Sequence, residues 1–212
     1  MTHQVITNPF DIGYNEEEIL KVSQLFIQYC KAFEISCQSP SYYKNNREAH
    51  NSYRESKNWE QALNESRLLA LTSKELARDT SKHTNMRMGD HKALSPIVDE
   101  MASVLRSDKY ESVTNSGMFW YPPTGFMGWH TNASSPCDRL YIVYSSTGES
   151  FFRYYDNETK EIVTDYDRAG LTWRLFPVTN EPPHFWHCVG SNCDRISCGF
   201  RLDYKKINWK KG

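Results

Sequence analysis

Gly125-Phe126-Met127-Gly128-Trp129-His130-Thr131-Asn132 is the stretch that decides how the second half of the chain is read. Two later segments answer it: His184-Phe185-Trp186-His187-Cys188-Val189 and Asp194-Arg195-Ile196-Ser197. Separated histidines followed by an arginine on the last apolar run supply the parts of a mononuclear metal site beside a carboxylate-binding pocket. Imidazole nitrogen suits first-row metals, and a planar guanidinium matches a carboxylate in two parallel hydrogen bonds. Asn132 stands where such a site normally offers a charged oxygen.

Working outward, everything after Lys109 has the texture of strands. Met118–Tyr121, Phe126–His130, Leu140–Tyr144, Ser150–Tyr154, Glu161–Asp165, Leu171–Phe176, Phe185–Val189 and Arg195–Leu202 are short runs rich in aromatic and β-branched residues. Turn formers separate them, among them Pro122-Pro123-Thr124-Gly125, Thr147-Gly148, Arg168-Ala169-Gly170 and Pro182-Pro183. Eight runs at this spacing predict a β-sandwich or jelly roll. Strand alternation brings Arg139 and Arg153 toward the same general region. Trp129, Trp173, Trp186, Phe151, Phe152 and Tyr154 are candidates to line the interior.

The first half is helical. Asn15 with Glu18 is a capping box, and Ile19, Val22, Phe26, Tyr29, Cys30 and Phe33 recur at helical spacing, which predicts a helix ending near Ile35 with that stripe on a core. Residues 1–14 read as an irregular lead-in, and 36–56 as a polar loop carrying Tyr42, Tyr43, Lys44 and Arg47. A second helix runs from about Trp59 to Arg78. The polar stretch Asp79 to Asp90 breaks the pattern, and Ser95-Pro96 opens a third helix through Met101, Val104 and Leu105. Lys205 to Gly212 form a basic tail.

Composition narrows the function. At 212 residues, against roughly 150 per domain, the chain is expected to be one domain: a helical extension over 1–108 packed on a β core over 109–212. Lysine and arginine number 25 against 26 acidic residues, so no net field holds nucleic acid or an anionic membrane. No apolar run is long enough to span a bilayer, and the N-terminus lacks the basic flank of a leader, so a soluble cytoplasmic chain is expected. Six cysteines without a Cys-X-X-Cys pair are expected to be reduced thiols.

Taken in order, Tyr121, Gly125-X-X-Gly-Trp-His130-X-Asn132, the strand Arg139-Leu-Tyr-Ile-Val-Tyr, Pro183-X-X-X-His187-X-Val189 and Arg195-X-Ser197 resemble a known family. It is that of the iron(II)- and 2-oxoglutarate-dependent dioxygenases, particularly the prolyl-hydroxylase-like and phage or marine-bacterial members. The resemblance covers about residues 110–204. It implies a double-stranded β-helix (jelly roll, cupin-like) core with the N-terminal helices packed outside. It further implies His130 and His187 as iron ligands, with His184 competing for the distal role, and Asn132 as a weak or absent ligand in place of the carboxylate. Arg195 and Ser197 would hold the far carboxylate of 2-oxoglutarate, and Tyr121 would line that pocket. The implied cofactors are Fe(II), 2-oxoglutarate and O2. The implied reaction is hydroxylation of a C–H bond in a peptide, protein or small amino-acid-like substrate. Two other readings stay open: a catalytically silent jelly-roll binding protein, and a cupin-type isomerase that has no use for Arg195.

Overall fold

The computed structural model describes residues 5–37, 63–64, 84–106 and 110–204. Helix α1 (Pro9–Ile12) is a single turn, and α2 (Glu16–Cys37) follows it. The capping box forms as the sequence predicts: Glu18 N donates to Asn15 Oδ1 at 3.0 Å, and Asn15 N donates to Glu18 Oε2 at 2.9 Å. Helix α3 (His91–Leu105) buries Leu94, Val98, Met101 and Leu105, one helical stripe.

The strands are β1 (Thr84–Asn85), β2 (Arg87–Met88), β3 (Tyr110–Tyr121), β4 (Gly125–His130), β5 (Cys137–Ser145), β6 (Ser150–Tyr155), β7 (Ile162–Tyr166), β8 (Gly170–Val178), β9 (His187–Ser191) and β10 (Arg195–Tyr204). They build two antiparallel five-stranded sheets, ordered β1-β4-β9-β6-β7 and β2-β3-β10-β5-β8. Apart from the β6–β7 hairpin, consecutive strands from β3 onward alternate between the sheets, which is the winding of a jelly roll, the double-stranded β-helix. Each of the strand runs predicted from the sequence falls on one of β3 to β10.

Side-chain alternation sorts these strands into two faces. Ile196, Cys198, Phe200 and Leu202 of β10, Leu140 and Ile142 of β5, and Trp173 and Leu175 of β8 point out of the barrel, against Val22, Phe26, Tyr29 and Phe33 of α2 and the buried stripe of α3. The helices therefore pack outside the core, on one sheet. Burying a phenylalanine such as Phe26 contributes about 1.5–3 kcal/mol, and truncating it to alanine is expected to cost about 3–5 kcal/mol. Facing inward are Tyr121, Phe152, Phe176, Val178, Phe185 and Val189, joined by Phe119, Met127, Tyr141 and Tyr154.

Several local expectations are corrected. The irregular lead-in contains α1, capped by Asn8 and closed by Gly13 at φ 107. The supposed break at Asp79 to Asp90 contributes β1 and β2, which extend both sheets. Helix α3 starts four residues before Ser95, because Asp90 Oδ1 already accepts from Lys92 N at 2.9 Å and Ala93 N at 3.4 Å. Of the proposed interior aromatics, only Phe152 and Tyr154 face inward. Trp129 and Phe151 pack on the outer side with Leu63 and Cys188, Trp186 lies against that cluster, and Trp173 meets the helices. The loop over 36–56, apart from the last residues of α2, lies outside the described residues. So do the second helix, apart from the helical pair Leu63 and Asn64, and the C-terminal tail.

Candidate metal centre and anion clamp

Strand β4 carries a bulge that sets the site. Met127 pairs with Val189 and His130 with His187, so two residues of β4, Gly128 and Trp129, oppose the single Cys188 of β9. Trp129 is thereby turned outward and His130 inward. The His130 and His187 rings then lie 4.1 Å apart between centroids. His187 is fully buried, with Phe152, Phe176 and Phe185 around it at 5.2–5.5 Å.

Both rings are oriented by the backbone. His130 Nδ1 lies 2.8 Å from the Gly128 carbonyl and His187 Nδ1 lies 3.1 Å from that of Phe185. A carbonyl only accepts, so each Nδ1 carries the proton and each Nε2 is left with a lone pair. That tautomer is the one a metal-binding imidazole presents. Burial, only partly offset by the Gly128 carbonyl, lowers His130 to about 4. Burial and then the neighbouring His130 hold His187 well below the ordinary histidine range. Both are neutral at pH 7, as ligation requires.

Asn132 joins the pair. Its side-chain amide lies 3.2 Å from His187 Nε2, and its backbone is left-handed at φ 58, a conformation asparagine tolerates better than most residues. It also closes a turn, accepting from Ser135 N at 3.0 Å. Among the described residues no group of three or more histidine, cysteine, aspartate or glutamate side chains could hold a metal ion. The donor set is two imidazoles and a neutral amide. His184 is elsewhere: its Nδ1 is buried without a partner, and its carbonyl accepts from Asn157 Nδ2 at 3.1 Å.

Farther along the interior, Arg195 and Ser197 share the inward face of β10, both buried. The Arg195 guanidinium lies over the Tyr121 ring at 5.1 Å. Its Nε donates to Asp167 Oδ2 at 2.8 Å, while among the described residues its terminal nitrogens form no hydrogen bond. Asp167 is the residue that the sequence did not single out. Its Oδ1 accepts from Arg174 Nη1, Ser150 Oγ donates to the same Oδ2 at 2.5 Å, and Arg174 Nε donates to Asp165 Oδ2 at 2.6 Å. Burial alone would raise the Asp167 carboxyl, but the Arg195 and Arg174 guanidiniums and the Ser150 hydroxyl hold it well below the carboxylate range. The two remaining arginines part company. Arg139 faces the histidines, whereas Arg153 lies on the outer face of β6, over the Phe151 ring at 4.3 Å, with its Nε donating to Thr164.

The interior thus offers two imidazole lone pairs at one end and, at the other, a guanidinium whose planar fork is half engaged. The first suits a divalent cation and the second a carboxylate. No family model matches this chain, and no curated protein does. Among solved structures it is similar to a prolyl-4-hydroxylase from Pseudomonas putida, at 13% identity over 69% of this chain and 88% of that one, with a TM-score of 0.38. It is also similar to a prolyl hydroxylase from Trichoplax adhaerens in complex with a hypoxia inducible factor oxygen degradation domain peptide fragment, at 16% identity over 84% and 93%, TM-score 0.36. A third is an oxidoreductase of the 2OG-Fe(II) oxygenase family from Burkholderia pseudomallei, at 10% identity over 52% and 56%, TM-score 0.35. At identities this low, the chemistry has to come from this chain's own side chains.

Proposed function

We propose that the chain is a non-haem iron(II)- and 2-oxoglutarate-dependent oxygenase that hydroxylates a C–H bond of a peptide, protein or small amino-acid-like substrate. The observation that carries this reading is the His130–His187 pair, 4.1 Å apart, with each Nδ1 at a backbone carbonyl and each Nε2 left as a lone pair. His130 and His187 would hold the metal, and Asn132 would offer its amide oxygen once the amide plane turns over. Bound iron with 2-oxoglutarate supplies the power to oxidise an unactivated C–H bond.

The residues do the rest. The terminal nitrogens of Arg195 would take the far carboxylate of 2-oxoglutarate, with the Ser197 hydroxyl two residues along the same face and the Tyr121 ring fixing the guanidinium plane. Asp167 holds Arg195 in place through Nε, so the clamp is oriented before any ligand arrives. Phe152, Phe176 and Phe185 wall off His187 and keep water from it.

Anaerobic titration with Fe(II) and 2-oxoglutarate, followed by succinate release in air, tests the proposal. Micromolar metal binding and turnover abolished by His187→Ala are expected; absence of metal binding refutes it. One observation favours a second reading, a silent binding protein: the Asn132 amide already contacts His187 Nε2, and among the described residues no carboxylate completes the ligand set. That reading predicts 2-oxoglutarate or metal binding without succinate.

A further inference from the structure

The charges inside the barrel do not balance. Arg174 and Arg195 are matched by Asp165 and Asp167. Among the described residues Arg139 has no such partner. It is 7% exposed, and among the described residues its Nε is buried with nothing to donate to and its hydrogen bond runs from Nη2 to the Ser135 carbonyl at a long 3.4 Å. The aspartate next to it in sequence cannot help, because Asp138 lies on the other face of β5, where Tyr110 and Tyr204 both donate to it. A buried guanidinium without a counter-charge is unfavourable by several kcal/mol, and its five N–H groups seek acceptors.

Arg139 also sits at a telling place. It belongs to the same inward face of β5 as Tyr141 and Ser145, and its charge is felt at both site histidines and at the Tyr141 hydroxyl. It is therefore at the histidine end of the barrel, opposite the Arg195 clamp. We propose that Arg139 anchors a carboxylate beside the His130–His187 pair, at a subsite separate from the one at Arg195. Its orphaned Nε and terminal nitrogens form a planar fork suited to a two-point carboxylate contact.

The carboxylate has two conceivable sources, the keto-acid end of a co-substrate or the substrate's own acid group. Charge favours the second, and this step rests on the oxygenase reading. With neutral His130, His187 and Asn132 around a divalent ion, and Arg139 adding one positive charge, a doubly charged 2-oxoglutarate leaves the interior one negative charge short. A substrate bearing a net negative carboxylate, such as an acidic amino acid or a peptide with an acidic side chain, supplies it.

The test uses the full chain, stripped of metal, so that it succeeds or fails independently of turnover. Thermal stability is measured with sodium propionate, with 2-oxoglutarate and with sodium chloride at equal ionic strength. Propionate is expected to stabilise beyond chloride. Arg139→Met is expected to melt at or above the unliganded wild type and to weaken propionate at least tenfold, while Arg139→Lys keeps a reduced response. If propionate binds alongside 2-oxoglutarate and Arg139→Met leaves 2-oxoglutarate affinity unchanged, the subsite takes the substrate's carboxylate. If propionate competes with 2-oxoglutarate and Arg139→Met weakens both, it takes the co-substrate. A propionate effect no larger than that of chloride, or one undiminished in both variants, overturns the proposal.

Discussion

The two ends of the barrel interior solve the same problem in opposite ways. At the Arg195 end, buried charge is neutralised by the protein itself: Asp167 bridges Arg195 and Arg174, Asp165 backs Arg174, and Ser150 adds a hydrogen bond. At the histidine end the protein leaves polar groups open: two Nε2 lone pairs, one of them met only by the Asn132 amide, and an arginine Nε with no acceptor. A self-satisfied polar cluster fixes a shape, whereas an unsatisfied one is stable only because the surrounding fold outweighs its penalty. The difference separates the charge that holds the barrel's shape from the hydrogen-bonding groups left for ligands, which at the Arg195 end are only the terminal guanidinium nitrogens.

Breaking the closed end is expected to have the largest effect. Asp167→Ala strands the buried Arg195 guanidinium, takes one of the two carboxylates from Arg174, and is expected to remove about 3–5 kcal/mol, read as a lowered urea midpoint; a loss under 1 kcal/mol would mean that water replaces the carboxylate. Next comes acid. His130 is at about 4 when folded against roughly 6.5 unfolded, so the native state binds fewer protons between those values. Metal-free protein is then fully stable above about pH 6.5 and loses up to about 3 kcal/mol as the pH falls toward 4, a limb that His130→Gln should flatten. Asp167, depressed rather than raised, holds its contribution above about pH 4 and surrenders it only below.

At the open end, His187→Ala is expected to weaken Fe(II) at least about 100-fold, near 2.7 kcal/mol, measured by anaerobic titration. Asn132→Asp sharpens the contrast from the other side by supplying the missing charge. It should tighten Fe(II) about tenfold, near 1.4 kcal/mol, and unchanged affinity would put residue 132 outside the coordination sphere. Ser197→Ala is the mildest, about fivefold on 2-oxoglutarate.

The barrel was legible because inward and outward residues alternate along β3 to β10 and glycine or proline marks nearly every turn between them. The capping box at Asn15 was legible for the same reason: its signal is local. Strands β1 and β2 were not, since two-residue polar strands carry no period. Asp90 was overlooked as a cap because Ser95-Pro96 gives a stronger local pattern, yet the backbone had already turned helical. Asp167 falls between the strand run ending at Asp165 and the turn Arg168-Ala169-Gly170, and its partner Arg195 lies 28 residues away on another strand, beyond any local pattern. Which way the tryptophans point was not legible, because aromatic character does not report which face of a sheet a residue occupies.

The β4 bulge has a consequence for how such a site is lost or gained. Because Gly128 and Trp129 share one partner position, the strand changes phase between Met127 and His130. Were the same residues paired in strict alternation, without the bulge, Trp129 would swing into the barrel and His130 would be carried out of it, with every ligand still present in the sequence. The site is therefore encoded as much by the bulge as by residue identity, and a one-residue slip in the pairing of β4 with β9 silences it while leaving each histidine intact.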